Sequence, residues 1–271
     1  MPELPEVETV RRTLLDWCKN KVIRDSEIFY KNVLPDMNFE NFKDKIVNQK
    51  INDVTRFGKY LFFILDDYVL ISHLRMEGKY FFLNNEDEYI KKHKIITFKL
   101  DDGNLIYHDV RKFGKMKLVD KDKYMLDESI AKLGKEPFTI SKEELYNKIH
   151  HLNKKIKQSL LDQSIISGLG NIYVDEVLFD SKISPSRSSK DITLKECEKI
   201  IESSIQILNK AIKLKGSTIA TYHFNNNEAG GFQNEHKVYG KKGCKCCECQ
   251  SIIEKTTIGG RGTYYCPKCQ K

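Results

Sequence analysis

The sequence predicts an α+β protein: an N-terminal antiparallel β-sandwich flanked by helices, followed by a helical domain that ends in a small metal-binding finger. Three observations carry this expectation. Residues 21–119 run in β-branched and aromatic stretches broken by Gly and Asp-Asp turns, which is the pattern of strands. Beyond residue 120 the apolar period becomes helical. Six of the eight cysteines fall between positions 244 and 269, and such clustering in a cytosolic chain argues for a metal and against a disulfide framework.

The elements follow in order. In MPELPEVE, Pro5 suits a first helical turn, where a missing N–H costs nothing. Val7, Val10, Leu14 and Trp17 then form one apolar stripe, with Glu6 and Glu8 at the positive end of the helix. VLPDMNF interrupts the strands, and HKIITFKLDDGNLIYHDV reads as a hairpin with Asp102-Gly103 as its turn. Ser141 with Glu144, and Thr193 with Glu196, have capping-box spacing. The second box opens a helix whose stripe is Cys197, Ile200, Ile201, Ile205, Leu208 and Ile212. Residues 216–236, rich in Gly and Asn, show no period and read as a loop. The boundary between the halves is expected near 121–140.

Length and composition set outer limits. A chain of 271 residues with 40% hydrophobic and 31% charged residues can bury a core and leans towards two domains. No apolar run approaches a membrane span, and the acidic N-terminus is unlike a signal peptide, so the expected location is the cytoplasm. A net charge of +8 suits a polyanionic partner without requiring one.

The chemistry-bearing residues begin at the terminus. Removal of Met1 would make Pro2 a terminal secondary amine, and free α-amino groups titrate near pH 8, so it would be a usable nucleophile. Glu3 then supplies an adjacent carboxylate for proton transfer. Taken alone, the stretch reads more simply as the start of a helix. Lys59 sits in the glycine turn of RFGKY, where most lysines are simply solvated. HLRMEG and HDVRKFG present Met76, Arg111 and Phe113 beside glycines, and such side chains can fill a gap in a base stack. Gly168, Gly170 and Asn171 could cradle a phosphate at a helix start. Cys246-x-x-Cys249 and Cys266-x-x-Cys269, sixteen residues apart, suit structural zinc, although Cys244 and Cys247 form a competing pair that spacing leaves open.

MPELPEVETVRR resembles the opening of the bacterial formamidopyrimidine-DNA glycosylases. RFGKY, the HLRMEG and HDVRKFG stretches, KIKQSLLDQSIISGLGNIYVDEVLF and GGRGTYYCPKCQK extend the resemblance to the last residue. It implies a catalytic β-sandwich over 1–130, a helix-two-turns-helix domain over 131–215, a lesion-capping loop over 216–236 and a zinc finger over 237–271. The implied catalytic residues are Pro2 as nucleophile, Glu3 as acid/base, Lys59 as proton donor, and Arg261, which also binds phosphate. Met76, Arg111 and Phe113 would fill the void left by a flipped nucleotide, while His93, Lys157 and Asn171 would hold the DNA backbone. The resemblance favours Cys246, Cys249, Cys266 and Cys269 as ligands of one structural zinc. His73 and His108 receive no role and read as structural histidines. The chain departs from the pattern at Leu152 and Asn153, where relatives often carry Arg or Lys, and at Ala220, where many carry Arg.

The implied activity is that of a bifunctional glycosylase and abasic-site lyase. It would excise formamidopyrimidines and 8-oxoguanine from double-stranded DNA as a monomer, associating with the nucleoid when bound and using no redox cofactor. The nearest rival is an endonuclease VIII-like enzyme for oxidised pyrimidines, against which the LPEVE opening weighs. A zinc protein that binds damage without cutting it would apply if Met1 were retained. A ribosomal zinc-ribbon protein would leave MPELPEVE and GLGNIY unexplained.

Overall fold

The computed structural model describes residues 1–84, 88–217 and 230–271. The chain divides into two compact units. One holds Met1–Pro2 and Glu6–Ala131; the other holds Glu3–Pro5, Lys132–Ser217 and Gly230–Lys271. Among the described residues no helix is long and apolar enough to cross a membrane.

In the first unit, α1 (Leu4–Cys18) buries Val7, Val10 and Leu14 along the predicted stripe. Trp17 lies at its edge, stacked on Phe82 with 6.2 Å between ring centroids. The strands are β1 (Asp25–Ile28), β2 (Asp53–Phe57), β3 (Tyr60–Ile64), β4 (Tyr68–His73), β5 (Lys79–Leu83), β6 (Lys94–Leu100), β7 (Gly103–His108) and β8 (Lys115–Asp120). They form two antiparallel sheets, ordered β1-β6-β7-β5 and β2-β3-β4-β8. Val54, Leu61, Phe63 and Leu70 from one sheet share a buried cluster with Ile96, Phe98, Leu105 and Tyr107 from the other, and α1 contributes to it. This is a sandwich covered by the N-terminal helix.

Three local expectations shift. VLPDMNF is not merely an interruption, because Asn38 caps α2 (Phe39–Ile46), its side chain accepting from Asn41 N–H, and Phe42 and Ile46 are buried. A further short helix, α3 (Glu88–His93), precedes β6. The β6–β7 turn is Asp101-Asp102, one residue earlier than expected, since Gly103 already pairs with Leu100. Glycine is needed there for packing: a Cβ on Gly103 would stand 2.8 Å from the Phe82 ring.

After the short α4 (Glu128–Ala131), the second unit is helical. It contains α5 (Lys142–Ile149), α6 (Ile156–Leu161), α7 (Asn171–Asp180) and α8 (Leu194–Lys213). Both predicted capping boxes form, at Ser141/Glu144 and Thr193/Glu196. Cys197, Ile200, Ile201 and Leu208 are buried in one cluster with α7, and Ile205 and Ile212 pack on its margin. Leu152 packs against the same cluster, so at this departure from the family pattern the side chain serves the core. The unit ends in a hairpin of β9 (Glu254–Ile258) and β10 (Arg261–Tyr265), turning through Gly259 and Gly260, both left-handed at φ 57° and 73°. Most of the proposed capping loop, including Ala220, lies outside the described residues.

Candidate functional site

Glu3 is the most constrained of the predicted catalytic residues. It is 3% exposed, and its carboxylate accepts the N–H groups of Ile172 at 2.9 Å and Tyr173 at 3.4 Å. These are the second and third residues of α7, whose cap residue Gly170 has no side chain to offer. The acid 169 positions away therefore does the work of an N-cap and sits on the positive end of the helix dipole. The N–H groups of Ile172 and Tyr173 are thus taken by Glu3.

The glycines make room for this arrangement. A Cβ on Gly170 would stand 2.3 Å from Glu3 Cδ, and one on Gly168 would stand 2.5 Å from Leu4 Cδ1. Gly168 also has φ +96°, where a side chain is strained, and its carbonyl accepts Leu4 N–H at 3.1 Å.

Around the same helix, Lys157 and Asp175 form a wholly buried ion pair at 2.6 Å. The Gly262 carbonyl accepts from Lys157 Nζ at 3.1 Å and from Asn171 Nδ2 at 3.0 Å, while Asp175 accepts Tyr264 N–H at 2.9 Å. Glu176 accepts the N–H groups of Lys237, Val238 and Tyr239 at 2.8, 3.0 and 2.8 Å. Burial pushes the Glu176 carboxyl up and pulls the Lys157 ammonium down. The exposed Arg261 heads the strand held by these contacts. The resemblance implies a phosphate contact for Lys157; here its buried amine donates to Asp175 and to the hairpin backbone.

Sequence spacing left two cysteine registers open, and geometry separates them. The Sγ atoms of Cys246, Cys249, Cys266 and Cys269 lie within 4.8 Å of one another, with Cys246 3.8 Å from Cys269 and Cys249 3.4 Å from Cys266. Four thiolates about 2.3 Å from a tetrahedral centre stand roughly 3.8 Å apart, so the cluster fits a metal ion. Cys244 and Cys247 are exposed and stand apart from it.

In the first unit, Pro2 and Lys59 are buried, and Met1 is 42% exposed. Two turns carry the expected void-filling residues. Met76 lies half-buried in the turn after β4, where His73 Nδ1 accepts Arg75 N–H at 3.0 Å and Arg75 is left-handed at φ 54°. The exposed Arg111 and Phe113 follow β7, with the guanidinium carbon 4.8 Å from the ring centroid. His93 ends α3, and its carbonyl accepts Asp109 N–H at 3.1 Å. His108 is fully buried, as a structural histidine would be. Burial, then the charges of Arg75 and Lys59, pushes the His73 imidazole down to about 3.

Comparison with known proteins gives this geometry its context. The formamidopyrimidine-DNA glycosylase N-terminal domain matches residues 1–116, and the H2TH domain of the same enzymes matches residues 133–223. The chain belongs to the formamidopyrimidine-DNA glycosylase family. It is 48% identical to the formamidopyrimidine-DNA glycosylase of Bacillus cereus over 275 residues, covering 100% of this chain and 99% of the relative. To the Mycoplasma pneumoniae enzyme it is 41% identical over 274 residues, with the same coverage. It is also similar to a Lactococcus lactis Fpg mutant solved with Fapy-dG-containing DNA, at a TM-score of 0.93 and 43% identity with both chains fully covered. A MutM complex with carbocyclic 8-oxo-G-containing DNA matches at a TM-score of 0.90 and 42% identity, again over both whole chains.

Sequence reading missed the seat of Glu3 and the buried acids that fix the hairpin, because each joins segments remote in the chain. The GLG spacing was the visible signal that this helix start leaves room for a group to approach it. Gly170→Ala should displace Glu3, cut base excision roughly a hundred-fold or more and lower the melting temperature, while metal content stays near wild type; steady-state excision with thermal melting and metal analysis checks this. His73 supplies a second expectation. Its folded-state pKa lies below the unfolded value, so the unfolded chain takes up the proton first and stability falls as pH drops from 6.5 toward 3. His73→Asn keeps an acceptor without titrating. Urea unfolding should show it losing roughly 1–2 kcal/mol less than wild type between pH 6.5 and 5.

Proposed function

We propose that this chain is a bifunctional DNA glycosylase and abasic-site lyase that removes oxidised purines, formamidopyrimidines and 8-oxoguanine among them, from double-stranded DNA. The observation that carries the reading is the buried carboxylate of Glu3, clamped on the start of α7 directly after Pro2 in a chain of this family. A carboxylate so held keeps one position through successive proton transfers, as acid/base work requires.

Removal of Met1 frees the Pro2 nitrogen. It attacks C1′ of the flipped nucleotide as the bond to the base breaks and the base leaves with the electron pair. The sugar ring opens to an iminium that links Pro2 to C1′. The iminium then serves as the electron sink for loss of the C2′ proton and the 3′ phosphate, and afterwards of the 5′ phosphate. Glu3 moves the sugar's protons, Lys59 donates one during elimination, and Arg261 assists the second elimination. Asn171, Arg261 and His93 face the DNA backbone, with Lys157 acting through the Gly262 carbonyl that it holds. Met76, Arg111 and Phe113 occupy the space that the flipped nucleotide vacates.

Cys246, Cys249, Cys266 and Cys269 would hold one zinc ion. With all four positions filled by thiolates the metal organises the finger and offers no site to substrate. The domain division that we favour is 1–130, 131–215, 216–236 and 237–271, and the enzyme would work in the cytoplasm on nucleoid DNA.

Borohydride trapping on an 8-oxoguanine:cytosine duplex tests the nucleophile. A covalent adduct is expected with protein lacking Met1 and none with a form carrying an extra N-terminal residue; an adduct from both would remove Pro2 from the mechanism. Cys266→Ser should lose zinc and DNA affinity together, and a mutant that keeps a full complement of zinc by atomic absorption would overturn the ligand set.

A further inference from the structure

Asp109 is wholly buried at the end of β7, and every polar group it owns is engaged. Its Oδ1 accepts Arg111 N–H at 3.0 Å, and its Oδ2 accepts Phe113 N–H at 2.9 Å and Gly114 N–H at 2.8 Å. Its own N–H donates to the His93 carbonyl at 3.1 Å, and its carbonyl accepts Lys112 N–H at 3.2 Å. The loop therefore wraps a nest of backbone donors around an anion that the chain itself supplies. Within it, Lys112 is left-handed at φ 57°, a conformation that costs a non-glycine residue energy and persists only where the surroundings determine it. The loop presents apolar side chains outward, with Val110 40% and Phe113 49% exposed.

The second turn is tied to the same place. A Cβ on Gly114 would stand 1.8 Å from the Tyr107 hydroxyl, and one on Gly78 would stand 2.1 Å from it. Both void-facing turns thus rest against one buried phenol.

We propose that Asp109 is the positioning residue that holds Arg111 and Phe113 preformed for entry into the base stack. The carboxylate touches neither DNA nor the reacting atoms; it acts through the loop. Ordering a loop only upon binding would take free energy from the complex, and a preformed loop avoids this. The inference rests on the reading of Phe113 as a void filler, and the experiment separates the two.

Asp109→Asn retains the size of the side chain but turns one acceptor into a donor facing backbone N–H groups. It is compared with Phe113→Ala and with the double variant on two substrates: an 8-oxoguanine:cytosine duplex, and a single strand bearing a preformed abasic site, which has no opposite base to orphan. Asp109→Asn should lower kcat on the duplex about ten-fold or more and change single-strand cleavage by less than about two-fold. The double variant should be slower on the duplex than Phe113→Ala by much less than the full Asp109→Asn loss, because the two changes share Phe113 and only the hold on Arg111 is lost in addition. Equal loss on both substrates, wild-type rates on the duplex, or losses that multiply in the double variant would overturn the proposal. A Phe113→Ala enzyme with wild-type duplex kinetics would overturn the void-filling reading and this proposal together, whereas a slow Phe113→Ala beside a fast Asp109→Asn would overturn this proposal alone. If Asp109→Asn fails to fold, Asp109→Ser, which keeps one hydroxyl acceptor near Arg111 N–H, carries the same comparison.

Discussion

The contact on which the site depends is that between the Glu3 carboxylate and the first turn of α7. A helix start leaves backbone donors without partners, and a buried carboxylate needs donors; each group satisfies the other. Neither could be removed alone without leaving a buried polar group unmet. This reciprocity fixes Glu3 at the start of α7 and gives Gly170 its purpose, since any side chain there would occupy the carboxylate's space. The residue that caps the helix is also the one proposed above for proton transfer.

The same device recurs along α7. Asp175 and Glu176, adjacent in sequence, reach in different directions: one to Lys157 and Tyr264 N–H, the other to the N–H groups of residues 237–239. Breaking a buried pair such as Lys157–Asp175 by removing one partner typically costs about 3–5 kcal/mol, because the remaining charge is stranded. The hairpin bearing Arg261 is therefore held by interactions that are expensive to disturb, although Arg261 itself is exposed. Rigid support beneath an exposed arginine fixes the backbone from which its side chain reaches.

Much of the fold was legible because it rests on local chemistry. The α1 stripe, both capping boxes, the Gly259-Gly260 turn and the α8 stripe each lie within one turn or one period of the chain. The helix α2 was legible too, in Asn38 followed by Phe42 and Ile46, but Pro35 and Asp36 just before it drew attention to a turn. What could not be read was anything that depends on side chains far apart in sequence. The Lys157–Asp175 pair is one such case, because nothing near Lys157 in the chain announces Asp175 as a partner. The cysteine register was ambiguous by spacing and separates by burial, with Cys246 and Cys266 inside and Cys244 and Cys247 outside. Asp102-Gly103 misled by one residue because the glycine serves packing against Phe82, not the turn itself.

The buried acids also change what the surface offers to DNA. Among the described residues, Glu3, Glu6, Asp109, Asp127, Asp175 and Glu176 are buried, against only two lysines, Lys59 and Lys157. Carboxylates drawn inside to hold backbone donors no longer contribute fully to the field that a polyanion meets at the surface. The solvent-facing balance is therefore more basic than the formal +8 suggests. A modest net charge in the composition thus understates the attraction available for counterion-releasing contacts along a phosphate backbone. The residues that hold the site rigid and those that draw DNA toward it follow from one choice, which is to place acids inside the fold on backbone N–H groups and leave bases outside.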